Sequence, residues 1–303
     1  MFSTLFAGLE HRVRTQPLVA AIGFMVISTT TFSLVSAGVR LVSPELPISI
    51  IIVMRTAFTL VLLLPWLMLH GRTALTTTRL GAHAWRGVLG GIGLGMWTYS
   101  LTLMPLTHAT ALSFTAPLFS TFFAMLWFKE RSDTTRWLAL MAGFGGVLIT
   151  LQPSVNGFDW TSLIVIIATA LWAVTGMFVK SLSATEPPLR MVFYMNLFML
   201  MVSLPFSFGH WQMPSAHAWA VLIGMGICSV VMHFSMARAY ALAPVGTLMP
   251  FDFTRLITTA ILAYWLFGET SDAYAWLGAT IIIASAVFMA RRDVKAAAAG
   301  VVE

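Results

Sequence analysis

Charge is what this chain has least of. Only 9% of its 303 residues are Asp, Glu, Lys or Arg, against 58% apolar, and its mean hydropathy is +0.87. A soluble domain carries about 25% charged residues, so a water-facing coat of the size needed here cannot be built. Cysteine is almost missing as well. The single Cys228 excludes an internal disulfide and reads as a small packing residue. Acids are scarcer than bases, 11 against 17, which gives a formal net charge of +6. The bases fall in short gaps between apolar runs rather than on a soluble face, so nucleic acid is excluded as a partner. No H-E-x-x-H, paired-cysteine zinc motif, nucleophile elbow or Walker motif is present. The chain therefore reads as neither an enzyme nor an ATP-driven pump, with no cofactor and no metal expected.

What is there is apolar length. A membrane span needs about 20 apolar residues. Such stretches lie near 18–40, 48–69, 84–104, 106–128, 134–151, 160–180, 189–209, 216–240, 245–267 and 273–290. The first is too long for a cleaved signal peptide. Alternating ten-residue strands are absent, which leaves helices. The fold class is thus an all-α integral membrane protein with ten transmembrane helices. Lysine and arginine set its direction. With the N-terminus in the cytoplasm, the inner side receives Arg12, Arg14, Arg72, Arg79, Arg86, Lys129, Arg131, Arg136, Lys180, Arg190, Arg238, Arg291, Arg292 and Lys295. The outer side receives Arg40 alone. Both termini are expected to be cytoplasmic, in a bacterial-type inner (plasma) membrane, with residues 293–303 as a disordered tail.

The two halves repeat. Residues 105–138 align without gaps on 244–277 with ten identities in 34 positions, including Pro105/Pro244, Phe114/Phe253, Thr115/Thr254, Glu130/Glu269, Asp133/Asp272 and Trp137/Trp276. Five spans per half is an odd number, so the halves, 1–152 and 153–292, are expected in opposite orientations. Inverted repeats of this kind serve alternating access, because two similar units can exchange conformations at similar energy.

The five-plus-five plan, the short link between the third and fourth spans, and a fourth span ending in Trp127-Phe128-Lys129-Glu130-Arg131 resemble the EamA-like transporters of the drug/metabolite transporter superfamily. The second copy reads Leu266-Phe267-Gly268-Glu269-Thr270. The resemblance covers almost the whole chain. It implies a cavity lined by spans 1–4 and 6–9, with spans 5 and 10 peripheral. The segment Pro250-Phe251-Asp252-Phe253-Thr254-Arg255-Leu256 is also similar to a subgroup that takes up larger metabolites such as riboflavin or S-adenosylmethionine.

Three charges fall deep inside spans, away from their cytoplasmic and outer ends: Arg55, Asp252 and Arg255. A charge at the bilayer centre costs about 2.5–3.5 kcal/mol on insertion scales, so each should face the protein interior. Arg55 reads as a substrate-binding or gating cation, or as a cap on a broken helix. Asp252 and Arg255 are three residues apart on one face, just after Pro250, which can kink the chain. They read as a substrate-binding pair, or as a self-contained ion pair used for packing. In the first half their counterparts are Ser113 and Ala116. His233 should lie at the depth of Asp252 and could relay a proton with it, or be a satisfied core histidine. Trp97, Tyr99 and Trp172 suit a wet cavity wall, as does Thr30 in the polar run Ser28-Thr29-Thr30-Thr31-Phe32-Ser33, although Ser and Thr also bond helices together. Gly87, Gly91 and Gly95 make a small-residue ridge for close helix approach. The expected function is a secondary transporter moving a small amphipathic, zwitterionic or anionic metabolite, amino-acid-like or larger and aromatic or nucleoside-like. A polytopic membrane enzyme and a proton-independent facilitator or channel are the alternatives. Its partners are the substrate and membrane lipid, with proton coupling, in a monomer or homodimer.

Overall fold

A computed structural model of the chain describes residues 16–116, 118–120, 122–123, 134–151, 160–243, 248, 251–270 and 273–298. Helix follows helix, and no strand occurs among the described residues. The helices are α1 (Pro17–Val42), α2 (Ile48–His70), α3 (Leu80–Leu103), α4 (Leu106–Ser113), α5 (Thr134–Leu151), α6 (Trp160–Ser183), α7 (Pro188–Ser203), α8 (Ala216–Leu242), α9 (Thr254–Phe267) and α10 (Ala273–Ala298). Among the described residues, five are long and apolar enough to cross a membrane: α1, α2, α6, α8, and α7 with the turn that follows it. The tail differs from expectation. Residues 293–298 continue α10, and 299–303 lie outside the described residues.

Proline and polar caps set several starts. Pro17 and Pro188 occupy first-turn positions, where the missing N–H costs nothing. Ser215 caps α8, its Oγ accepting from the Ala218 N–H. Gly268 ends α9 at φ 66°, a left-handed cap that favours glycine. The links at 43–47 and 104–105 are too short for anything but antiparallel neighbours.

Each half packs through the other. Helix α1 lies against α8 and α9, and α3 lies against α6 and α7; α8 meets α2, α4 meets α9, and α5 meets α10. The α3 ridge makes its contacts close. A Cβ on Gly87 would collide with Phe198 of α7, and one on Gly93 would come within 2.9 Å of Trp172 Nε1 on α6. The predicted small-residue ridge is therefore a packing surface, and Gly93 leaves room for an indole.

Most of the apolar core gathers at one end of the bundle. Val39 and Val42 of α1, Ile50 and Ile51 of α2, Leu101 of α3, Leu106 of α4 and Leu222 of α8 form one buried cluster there. Polar bonds tie this end. Arg40 pairs with Glu269, donates to the Met104 carbonyl, and stacks on Phe267. Glu269 also accepts from the Leu106 N–H at 2.9 Å. Glu45 accepts from the Ser215 backbone and hydroxyl, and these bonds hold its carboxyl below the usual range.

At the other end, the 71–79 link is tied to the 184–187 link. Glu186 accepts from Thr77 and from Arg190, with His83 at 3.8 Å. Arg190 donates to the Ala74 and Thr73 carbonyls, Tyr194 to Leu75, and Arg79 to Ser181. Burial works against the Glu186 charge. The bonds from Thr77 and Arg190 and the nearby Arg190 and His83 charges outweigh it, and its carboxyl sits below the ordinary value.

Candidate functional site

Between the two tied ends lies a cavity of about 260 Å³. Its wall draws on α1, α2, α3, α6, α7, α8, α9 and the residues just before α9. Arg55, Asp252, Arg255, Trp97, Trp172 and His233 all line it. Of the eight residues singled out for binding or relay from the sequence, these six line the cavity, and Tyr99 and Thr30 do not. Tyr99 is 46% exposed on the outer surface of α3. Thr30 is half-buried and outside the lining; its neighbours Ser28 and Thr29 take that place. On a helix one position turns a side chain by about 100°, and run composition does not say which positions face inward.

The charged pair is built by a break in the chain. Asp252 belongs to a short helical turn, Phe253 is a turn residue, and α9 starts at Thr254. Pro250, expected to kink this segment, lies outside the described residues. Across the break, Arg255 Nη2 lies 3.2 Å from Asp252 Oδ2. The guanidinium also stacks between two rings, 5.0 Å from Phe32 and 4.5 Å from Phe114. Such contacts add about 0.5–2 kcal/mol when desolvated. Pairing and stacking together offset the cost of burying the two charges.

The polar run of α1 divides its work. The Ser28 hydroxyl donates to the Met232 carbonyl of α8. Thr29 shares a bond with Thr254 at 2.8 Å, and Ser33 donates to the Arg255 carbonyl and accepts from Thr259. Thr31 bonds its own helix. This stretch therefore glues α1 to α8 and α9 while Ser28 and Thr29 still touch the cavity.

The aromatic wall is compact. Trp97 and Trp172 have centroids 5.4 Å apart, and Phe32 sits 5.6 and 6.0 Å from them. Five methionines, Met25, Met195, Met199, Met232 and Met236, complete much of the lining. Flexible thioethers suit a wall that must adapt to its ligand.

Arg86 is the residue that sequence reading misplaced. It was assigned to the cytoplasmic boundary charges, yet it is 2% exposed and lines the cavity. It lies about 9 Å along α3 from Leu80, at roughly 1.5 Å per residue, so its long side chain enters the protein rather than the membrane surface. Its Nη1 donates to the Met191 carbonyl at 2.9 Å. The helix start at Leu80, not 84, was the signal. Tyr240 also lines the cavity, with Asp252 and Arg255 as electrostatic neighbours. His233 corrects a second expectation. Its electrostatic neighbours are Arg86 and Arg55 rather than Asp252, and no His233–Asp252 ion pair occurs among the described residues. No group of three or more His, Cys, Asp or Glu positioned for a metal occurs among them either.

A cavity of this kind, walled by rings, methionines and buried charges between helices of an apolar chain, binds a small molecule. Comparison with known proteins agrees. A riboflavin transporter of Vibrio cholerae is 32% identical over 288 residues, covering 93% of this chain and 96% of that protein. An S-adenosylmethionine uptake transporter of Rickettsia felis is 32% identical over 242 residues, covering 80% and 82%. A pseudopaline exporter of Pseudomonas aeruginosa is 24% identical, covering 88% and 94%. A solved crystal structure shares the fold at TM-score 0.61 and 16% identity, covering 89% of this chain and 96% of that one. The model of the EamA-like transporter family matches residues 19–152 and 159–291. The chain belongs to the EamA-like transporter family, a family of membrane transporters and not of enzymes.

Proposed function

We propose that this protein is a secondary transporter that carries a flat, amphipathic metabolite, zwitterionic, anionic or neutral with several ring acceptors, across a bacterial inner membrane by alternating access. The observation that carries the reading is the buried cavity in which the Asp252–Arg255 pair, Arg55 and the Trp97–Trp172 wall meet. Ten spans, α1–α10, form two inverted units, residues 1–152 and 153–292. The helix partners support this, because α1 on α8 exchanges with α6 on α3 when the halves are swapped, and α2 on α8 with α7 on α3. The lysine and arginine asymmetry supports cytoplasmic termini.

Of the chemistries open to such a cavity, a larger heteroaromatic compound fits best. Riboflavin, carried by the Vibrio cholerae relative, has a flat ring for the tryptophans and carbonyl and ring-nitrogen acceptors for guanidinium donors. S-adenosylmethionine carries a net positive charge near neutral pH, and a lining with three arginines and one aspartate disfavours it. The Asp252–Arg255 pair supplies a route to proton coupling: a substrate acceptor that competes for Arg255 leaves Asp252 ready to take a proton.

The test is uptake of labelled riboflavin into proteoliposomes, with and without an imposed pH gradient. Wild type should transport it, and Arg55→Ala should abolish transport while the protein stays folded in the membrane. Normal transport by Arg55→Ala would make that arginine a structural cap. Flux that ignores the gradient in wild type would make the protein a facilitator.

A further inference from the structure

Among the described residues, the cavity holds three guanidiniums and one carboxylate. Asp252 is committed to Arg255, which is also stacked between Phe32 and Phe114. Arg55 and Arg86 are left over. Both are buried, at 4% and 2% exposure. Neither has an acidic partner within ion-pair distance among the described residues. Each guanidinium has five N–H donors. Among the described residues Arg86 places one on the Met191 carbonyl, and the Nε of both arginines lacks a bond. His233 lies in the field of both, with neither ring nitrogen bonded among the described residues. Buried charge is stable only when it is paired and its donors are satisfied.

We propose that Arg55 and Arg86, with His233 beside them, form an anion-holding subsite in the cavity, distinct from the Asp252–Arg255 pair. Its ligand is an oxyanion, a carboxylate or phosphate, which accepts several N–H bonds at once and supplies the missing negative charge. That oxyanion comes either on the transported ring or as a free inorganic anion. The subsite deepens the transporter reading and rests on it for the cavity's role, but anion binding is measured without transport. Arg86 becomes a specificity residue that no boundary-charge count would identify.

The experiment is thermal unfolding of the purified full-length protein in detergent at fixed ionic strength, titrated with three probes. Inorganic phosphate represents the free anion. Benzoate represents an anion carried on a ring, and benzamide is its uncharged counterpart. Saturable stabilisation by phosphate, by benzoate, or by both is expected, and wherever benzoate stabilises, benzamide should be at least tenfold weaker. Phosphate alone would assign the free anion, and benzoate alone the ring-borne one. Arg55→Gln and Arg86→Gln should each weaken the effective probe at least tenfold. The exposed Arg291→Gln should leave it unchanged. If Arg86→Gln does not fold, Arg86→Lys keeps the charge without the planar fork, and should weaken binding by a smaller factor than Arg55→Gln does. The proposal is overturned if benzoate saturates and benzamide matches it, if neither anion saturates, or if the Arg86 variants bind as wild type does. Saturable anion binding in a protein that transports nothing would count against the transporter reading and leave the subsite standing; transport without any anion effect would do the reverse.

Discussion

Two turns in this molecule occupy matching places in the repeated sequence and differ in one respect. In the first half the chain bends at Phe114–Thr115, and in the second at Phe253. In both, the threonine hydroxyl donates to the carbonyl three residues back, Thr115 to Leu112 and Thr254 to Phe251. The two phenylalanines meet each other edge-on at 5.0 Å. Around this common frame the first turn carries Ser113 and Ala116, and the second Asp252 and Arg255. The bend and its ring contact are thus architecture, made without charge in one copy. The ion pair is an addition to it, and an addition so costly in a membrane points to use by a ligand.

The comparison breaks or sharpens in four measurements. The largest effect should come from Arg255→Ala, which strands Asp252. Removing one partner of a fully buried pair costs about 3–5 kcal/mol; Asp252 is only half-buried, so the loss should fall at or below the lower end of that range, and transport should be lost. The matching Ser113→Ala should cost about 1 kcal/mol or less, since it removes one bond to Thr110. Equal losses of unfolding free energy at the two turns would end the distinction. Next, Gly93→Ala should cost about 1–3 kcal/mol by overpacking against Trp172, and should raise KM by moving that ring into the cavity. Unchanged KM would free Trp172 from the site. Third, Phe114→Leu and Phe253→Leu should each cost about 1 kcal/mol and match one another, as a shared frame requires; a marked inequality would show that the two turns are not equivalent supports.

The smallest effect concerns Glu186 and pH. Its carboxyl lies below the ordinary value of 4.5 when folded, so its contribution is complete above about pH 4.5 and is lost as pH falls through the folded value. The stability gap between wild type and Glu186→Gln should therefore be present at pH 7 and close in acid. A gap that persists at low pH would assign the effect to shape rather than charge.

Much of this was legible in the chain. Apolar length gave the helices, and the price of intramembrane charge marked Arg55, Asp252 and Arg255 as inward-facing. Those arguments hold because lipid tolerates few alternatives. The misses share a cause. Tyr99 and Thr30 were taken from runs whose composition suited a cavity, but helix rotation decides which member faces it. Arg86 was read as a boundary charge because a hydropathy window began four residues after the helix does. His233 was matched to Asp252 by depth alone, and depth does not fix azimuth, which brings it to the two arginines instead. The repeat partners Lys129, Glu130 and Asp133 lie outside the described residues.

The spacing of the cavity charges along the chain has a consequence for biosynthesis. Arg55 and Arg86 leave the ribosome early, while Asp252 follows 166 residues after Arg86. At about 5–20 residues per second, that interval is roughly 8–33 s. During it the described residues of the nascent first half supply two cavity cations and no cavity carboxylate, and Asp252 will belong to Arg255 when it arrives. Until the second half docks, water or lipid phosphate has to shield those cations, so the first half on its own bears an insertion cost that the assembled cavity spreads over both halves.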